Sequence, residues 1–539
     1  MTTRMYCRLF TSFAALALAA GPLAAADPPA RLPGGVRAAV EVTALDLDVV
    51  ATKDGKFVPD LGREEFVVKV DGKAVPLDYF TRVEEGTLFG PDLSKASPDL
   101  ILDSIRDDAG GRYLARQYLV YFDDEHLQPF DRPRAIEGLR DLFYKLAPSD
   151  QVGIVRYDRG TTRALVPFTT SKEELLDGLA KLEKLPPGGL SWRSQSQTDW
   201  ASARSSRYAY ERQNIIRNYS AQALVREQAA LKDLRRAISA LAARSGKRTM
   251  IYVGAGIELH PGQAFAQAFS PGLQQFEYDV TPDYLAVLRE ANESGVTIYS
   301  IDARGLTTDV DAGEQSPFEL SPFEVRMIRR EVLAGLAEET GGVLFENRNA
   351  FKGAVEQIYR ESSTFYSIGV TLSNLPKKEE HSISVSVTRP GVKIRTRSKF
   401  VPKSADKASR DHIEMALLTP ETKGDFDVPV SVGAPRPGGM GRRLSTLEVR
   451  IPLGALTFKE AAGRPEAAVD VTIAAVEDNG ARSDPSRPQR VTIPLVRGKD
   501  FYVFSSDLKT RTGNHRFVVT VKDVATNRVG FGSASIRIE

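Results

Sequence analysis

Between Val40 and Val83 apolar residues recur at nearly every second position: Val40, Val42, Leu45, Leu47 and Val49, then 66–70, then 75–80. Such alternation sets one face of a strand against a core and the other in water. The intervening Lys53-Asp54-Gly55-Lys56 and Asp71-Gly72 sequences suit tight turns. The pattern predicts a small antiparallel β module over 37–83. Residues 84–111 are polar and acidic and read as a connector.

From 112 onward the pattern becomes strand–helix–strand. Tyr118-Leu119-Val120-Tyr121-Phe122 is an unbroken apolar run, as a strand covered on both faces requires. Ile136, Leu139, Leu142, Phe143 and Leu146 follow with helical spacing, after Asp131 as a candidate cap and Pro133 in the first turn. Residues 152–157 predict the next strand, and Ser171 with Glu174 forms a capping box ahead of Leu175, Leu176, Leu179 and Leu182. Further strands are expected at 249–253, 296–301, 343–345 and 365–370. Helices between them open at Thr281-Pro282 and Ser321-Pro322 and close at Gly295 and Gly341-Gly342. This alternation needs crossover connections, and a mostly parallel sheet with helices on both faces satisfies them. The expectation is therefore a Rossmann-like α/β domain over 112–375.

One stretch, 186–219, breaks the rhythm. It is rich in Ser, Arg, Gln and Tyr and holds both tryptophans of the chain, Trp192 and Trp200. It is too long for an ordinary connection, and it runs into a long helix predicted over 208–244. Residues 376–410 read as a β extension and linker. Short alternating runs from 411 to 539 predict a larger, β-sandwich-like C-terminal domain.

The first 26 residues stand apart. Arg4 and Arg8 give a basic start, 9–26 carries no charge, and Ala24-Ala25-Ala26 supplies small residues for cleavage. This is the layout of a secretory signal peptide. Residues 27–36, rich in Pro and Gly, follow as a linker. The mature chain is thus expected to be secreted or periplasmic, with no later apolar run long enough to span a bilayer. Cys7, the one cysteine, precedes the cleavage point, so no thiol chemistry and no disulfide are expected in the mature protein. Without Arg4 and Arg8 the 72 basic residues fall to 70, matching the 70 acidic ones. A near-zero net charge gives no global field for nucleic acid or acidic membranes.

The order of parts resembles the VWFA-related secreted proteins of acidobacterial type, built around a von Willebrand factor type A (VWA)-like domain. The resemblance lies in Val58-Pro59-Asp60-Leu61 with Glu64-Glu65-Phe66 and Asp71-Gly72-Lys73, in 118–124, in Gly295-Val296-Thr297-Ile298-Tyr299-Ser300-Ile301-Asp302, and in Leu336-Ala337-Glu338-Glu339-Thr340-Gly341-Gly342. It covers roughly 40–397. It implies a VWA-like α/β domain flanked by the small N-terminal and larger C-terminal β-sandwich-like modules.

A metal-binding VWA domain uses D-x-S-x-S after its first strand, a Thr from a later loop and an Asp after a later strand. Together these offer hard oxygen donors to Mg²⁺. Here the stretch reads Asp123-Asp124-Glu125-His126-Leu127. Glu125 and Leu127 replace the two serines. Pro187-Gly188-Gly189-Leu190-Ser191, with Thr198 beyond, stands near the expected Thr loop, and Val253-Gly254-Ala255-Gly256 lacks the final carboxylate. The metal site reads as degenerate and no cofactor is expected, with Asp123 and Glu125 as weak candidates for Mg²⁺ or Ca²⁺ in a rearranged geometry. The plainer reading is a solvated acidic strand end paired with Arg132 or Arg134, and Asp302 paired with Arg304. His126 beside three acids suggests acid–base chemistry, but no nucleophile with partner spacing accompanies it. Gly254-Ala255-Gly256 lacks a phosphate-binding pattern and reads as a tight turn. Residues 188–248 hold 12 Lys/Arg against four Asp/Glu, with Trp and Tyr interleaved, which suits partner binding or a solvated helix face.

The leading expectation is a non-catalytic binding or adhesion protein that recognises a protein or cell-surface polymer through Asp123, Asp124, Glu125, Trp192 and Trp200. Cation-dependent ligand binding and an exported hydrolase are the alternatives.

Overall fold

The structure, a computed structural model, describes residues 42–89, 104–106, 112–127, 131–186, 188–269, 278–305, 322–373, 376, 378–403, 406–419, 424–439, 442–461, 464–478, 480–496 and 498–539. The expected signal peptide (1–26) and linker (27–36) lie outside them.

The centre is a six-stranded sheet in the order Thr161–Thr169, Gln151–Asp158, Arg116–Asp123, Lys247–Gly254, Thr297–Asp302, Leu344–Phe345. Neighbours are parallel except Thr161–Thr169, which returns antiparallel as an edge hairpin. In chain order this is 3-2-1-4-5-6, the doubly wound order that reverses direction between its first and fourth strands. Every residue of Arg116–Asp123 is buried, because helices cover both faces. On one face Tyr118, Val120 and Phe122 meet Leu139 and Leu142 of helix Arg132–Lys145, Leu175 and Leu179 of helix Lys172–Lys184, and Ile358 of helix Lys352–Ser363. On the other, Leu119 and Tyr121 meet Leu231, Leu234 and Ile238 of helix Ala209–Ala242, Val287 of helix Thr281–Ser294 and Leu336 of helix Pro322–Glu338.

Two expectations about this domain change. Strand Phe365–Ser373 is not the last strand of the parallel sheet. It runs antiparallel between Val42–Lys53 and Tyr79–Glu84 in a separate eight-stranded sheet. That sheet also takes in Thr87–Phe89, Ser104–Arg106 and Arg112–Leu114, so part of the expected connector is strand. Phe66–Val70 pairs with His381–Val387 in a smaller sheet, and Leu45, Leu47 and Val49 share a core with Phe66, Val68 and Ile383. The N-terminal β segment is therefore completed by residues beyond the α/β domain. The second change concerns 186–219. The break in rhythm is helical, forming Gly189–Ser205 and the start of Ala209–Ala242. Asp131 has helical backbone angles and makes no side-chain cap bond, whereas Ser171 Oγ accepts from the Glu174 N–H at 3.3 Å.

At the C-terminal end two sheets enclose a common core of Leu447, Val449 and Ile451 from one and Val469, Val471, Val519 and Val521 from the other. The segment that leads into it is helical over Lys407–Leu418, which revises the reading of 376–410 as extension and linker and of 411 onward as strands. Met415 and Leu418 pack on the long helix, and Ile413, Ala416 and Leu417 on Ala474, Val518 and Phe531. Lys407, Asp411 and Glu414 are buried on this helix beside its apolar residues, so its sequence shows no single apolar helical stripe. Among the described residues no helix is long and apolar enough to cross a membrane.

Candidate functional site

Open α/β sheets bind ligands beyond the carboxyl ends of their strands, where the strand order reverses. Here that point lies between Asp123 and Gly254, and the chain converges on it. The Asp124 N–H donates to the Tyr157 carbonyl at 3.0 Å, and the Gly189 N–H to the Asp124 carbonyl at 3.2 Å. Helix Gly189–Ser205 thus starts directly on the acidic rim. A Cβ at Gly189 would lie 2.4 Å from the Leu127 carbonyl oxygen, so only glycine lets the helix begin there.

The three acids are buried and each has cationic company. Asp123 accepts from His126 Nδ1 at 2.7 Å and from the Tyr252 hydroxyl. Asp124 is held by Arg156 at 2.6 Å and Arg132 at 3.3 Å. Burial pushes its carboxyl above the ordinary value, and the two guanidiniums oppose that rise. Glu125 receives the Arg159 backbone N–H at 2.7 Å and Arg226 Nε at 3.2 Å, while its own carbonyl receives Arg226 Nη2 at 2.7 Å. Of the partners expected from sequence, Arg132 does reach Asp124. Arg134 instead donates to the Arg304 carbonyl at 3.2 Å. Asp302 is clasped by Arg304 at 2.8 and 2.9 Å. The rim is therefore internal and neutralised, where the sequence suggested solvated.

His126 sits between two carboxylates. Its Nε2 lies 2.8 Å from Glu227 Oε2, opposite the Asp123 contact. With both ring nitrogens facing carboxylates, both are donors and the ring is an imidazolium. Burial and nearby Arg226 push its pKa down, but Asp123 and Glu227 outweigh them and raise it to about 9. Burial pushes Glu227 up, yet His126 and Arg226 carry it down to about 2. A ring charged at neutral pH with neither nitrogen free is not arranged to accept a proton.

The residues expected to complete a metal site are otherwise occupied. Ser191 Oγ donates to the Gly188 carbonyl at 3.3 Å and Thr198 Oγ1 to the Ser194 carbonyl at 3.0 Å. Leu127 is fully buried. Where a later carboxylate would approach Asp123, the Tyr252 hydroxyl does so. The donor set does not fit a hard divalent cation, which needs several oxygens free of competing hydrogen bonds. Among the described residues no group of three or more acidic, His or Cys side chains is arranged around a common metal position.

Beside the rim lies a cavity of about 490 Å³. Glu125, His126 and Leu127 form one side, Trp192 and Trp200 another, with Tyr219, Phe265, Arg226, Glu258 and Arg329 around it. Trp192 lies 5.3 Å from the Tyr219 ring and under the Arg226 guanidinium at 5.0 Å. Trp200 packs on Phe265 at 4.8 Å. The two tryptophans and Glu125 named from sequence thus share one cavity with His126, while Asp123 and Asp124 lie in the rim beneath. Arg226 and Glu227 entered the sequence reading only as charges within 188–248, and Arg329 did not enter it. A signal existed for Glu227: it falls on the stripe of Ala223, Ala230, Leu231 and Leu234, all buried. A carboxylate on an apolar stripe demands a buried cationic partner. Strand Lys247–Gly254 ends at Gly254-Ala255-Gly256, where backbones come close together: a Cβ at Gly256 would meet the Arg329 carbonyl oxygen at 2.5 Å.

No family model matches the chain, and no curated protein matches it. Among solved structures it is similar to the one described as the crystal structure of the SpRpn10 VWA domain, at 9% identity over 46% of this chain and 94% of that chain, with a TM-score of 0.22. That superposition is too loose to add to what strand order and site geometry show, which is an α/β sheet with an aromatic and arginine-lined cavity at its switch point.

Proposed function

We propose that this is an exported, non-catalytic binding protein. In this reading a VWA-like α/β domain, flanked by β-sandwich-like modules, recognises a partner protein or cell-surface polymer at the cavity beside Glu125. The observation that carries the reading is the cavity itself. Both tryptophans of the chain, Trp192 and Trp200, line it together with Arg226 and Arg329, at the end of the sheet where such folds bind. Trp and Arg are enriched among the few residues that dominate binding energy at protein interfaces. The doubly engaged His126 supports the absence of acid–base catalysis, and the 26-residue basic-then-apolar N-terminus supports export.

The test is capture from the native envelope with the mature protein, followed by purification and titration of the captured species. Trp192→Ala with Trp200→Ala is expected to weaken that binding at least tenfold. Unchanged affinity in this double variant, with its fold intact by circular dichroism, refutes the cavity as the recognition site.

A further inference from the structure

We infer that the C-terminal module pairs edge to edge with a second copy of this chain, through strand Phe501–Thr510 and about a two-fold axis at Val503. That strand lies antiparallel to Arg443–Pro452 along its whole length, from Phe501 opposite Pro452 to Thr510 opposite Arg443, and pairs with no other described strand. Its far side therefore presents unpaired backbone N–H and C=O groups, a template for another strand. The module's other edges are blunted. Phe426–Asp427, Val430–Val432, Arg436–Pro437 and Lys459–Ala461 span two or three residues each. Gln489–Pro494 ends in a proline and carries Arg490 paired with Asp470. Phe501–Thr510, by contrast, runs for ten residues without proline or glycine.

Side chains along the strand alternate without interruption. Tyr502, Phe504 and Leu508 are half-buried against the module's core. Phe501 and Val503 stand on the outer face, 42% and 51% exposed, with Leu495 and Val496 also exposed on the approach to the strand. Apolar side chains grouped beside an open edge mark an interaction surface. The strand's own sequence is the complement to that surface in one antiparallel register. With the axis at Val503, this residue meets the partner's Val503, and Phe501 lies diagonal to it on the same face. Tyr502 meets the partner's Phe504, an aromatic cross-strand pair on the inner face. Lys499 meets the partner's Asp507, and the two-fold repeats that ion pair at the other end. Lys499 and Asp507 are both exposed, so the pairs form without burying charge. Moving the axis to Ser505 would set Asp507 against the partner's Val503 and Lys509 against the partner's Phe501. Moving it to Phe504 would set Lys499 against the partner's Lys509. Charge complementarity and apolar matching thus point to a second copy in the Val503 register; a strand from another protein has no need of this symmetry.

Sedimentation equilibrium of the mature protein across the micromolar range should show a reversible dimer. Val503→Lys sets two ammonium groups against each other at the axis and should weaken dimerisation at least tenfold. Its side chain stands in water, and an unchanged circular dichroism spectrum separates lost pairing from lost fold. The register is tested by cross-linking. Cys7, the one cysteine of the chain, precedes the expected cleavage point, so mature Val503→Cys carries one thiol per copy. Mild oxidation should link Val503→Cys to its own copy, whereas Lys509→Cys, far from the axis in this register, should stay unlinked. A monomer at every concentration, a dimer that Val503→Lys does not weaken, or linking of Lys509→Cys as fast as Val503→Cys overturns the proposal. So does a monomer that captures an envelope protein only while Val503 is intact, because the edge then takes a foreign strand.

Discussion

Replacing His126 by glutamine should change how stability depends on pH in a calculable way. In the folded protein the ring is held at a pKa of about 9, against an ordinary value of 6.5. At ~1.4 kcal/mol per pKa unit, that difference corresponds to ~3 kcal/mol favouring the folded state when the ring is charged. The depression of Glu227 reports the same contact from the other partner and is not added. A histidine whose pKa is raised by folding gives its full stabilisation below the unfolded value, here pH 6.5. It loses that stabilisation as pH rises through 9. Glutamine keeps an N–H donor but no charge, leaving Asp123 and Glu227 buried with less compensation. Urea midpoints of wild type and His126→Gln, followed by tryptophan emission at pH 6, 7.5 and 9.5, test this. Measuring both proteins at each pH cancels the other titrating groups. The gap between them should be largest at pH 6 and shrink by ~3 kcal/mol by pH 9.5. A gap independent of pH refutes the assignment of a buried imidazolium.

Glu414, packed between the long helix and the C-terminal sheets, titrates in the opposite chemical sense but with a falling curve as well. Burial raises its carboxyl to about 7 from 4.5, opposed by Arg236 and Arg482, so its contribution is full below pH 4.5 and lost as pH rises through 7. Glu414→Gln should flatten the decline in stability between pH 5 and 7 by up to ~3 kcal/mol, read from urea midpoints across that range. Gly256→Ala should cost about 1–3 kcal/mol, because Gly256 has φ +82° and its Cβ would press on the Arg329 carbonyl. Its melting temperature should fall.

The elements that could be read in advance are those whose environment is uniform. The strand at 118–122 and its neighbours are buried on both faces and appear as continuous apolar runs. The long helix, expected over 208–244, spans Ala209–Ala242. Partnership was harder to read than identity. Alternation along 42–53 shows which side faces a core, but not that its neighbour is Phe365–Ser373, some three hundred residues away. The helix at Lys407–Leu418 hid because contact on several sides erases periodicity. At the site, Asp123, Glu125, Trp192 and Trp200 were legible as an anomaly of residue type at a strand end and in an insertion. Arg226 was legible only as one of the basic residues of 188–248, and Arg329 not at all, since a guanidinium on a helix is ordinary until its neighbours are known.

The pairing of Val42–Lys53 with Phe365–Ser373 means that the central α/β body is spliced into the middle of a β body, with both of its ends stitched to one sheet. During synthesis, the leading strand waits without its neighbour until the α/β segment has followed. A truncation at 375 designed to isolate the central body would carry off that neighbour as an orphaned, aggregation-prone edge. Cutting at 116 and 364 would leave that strand with its β body.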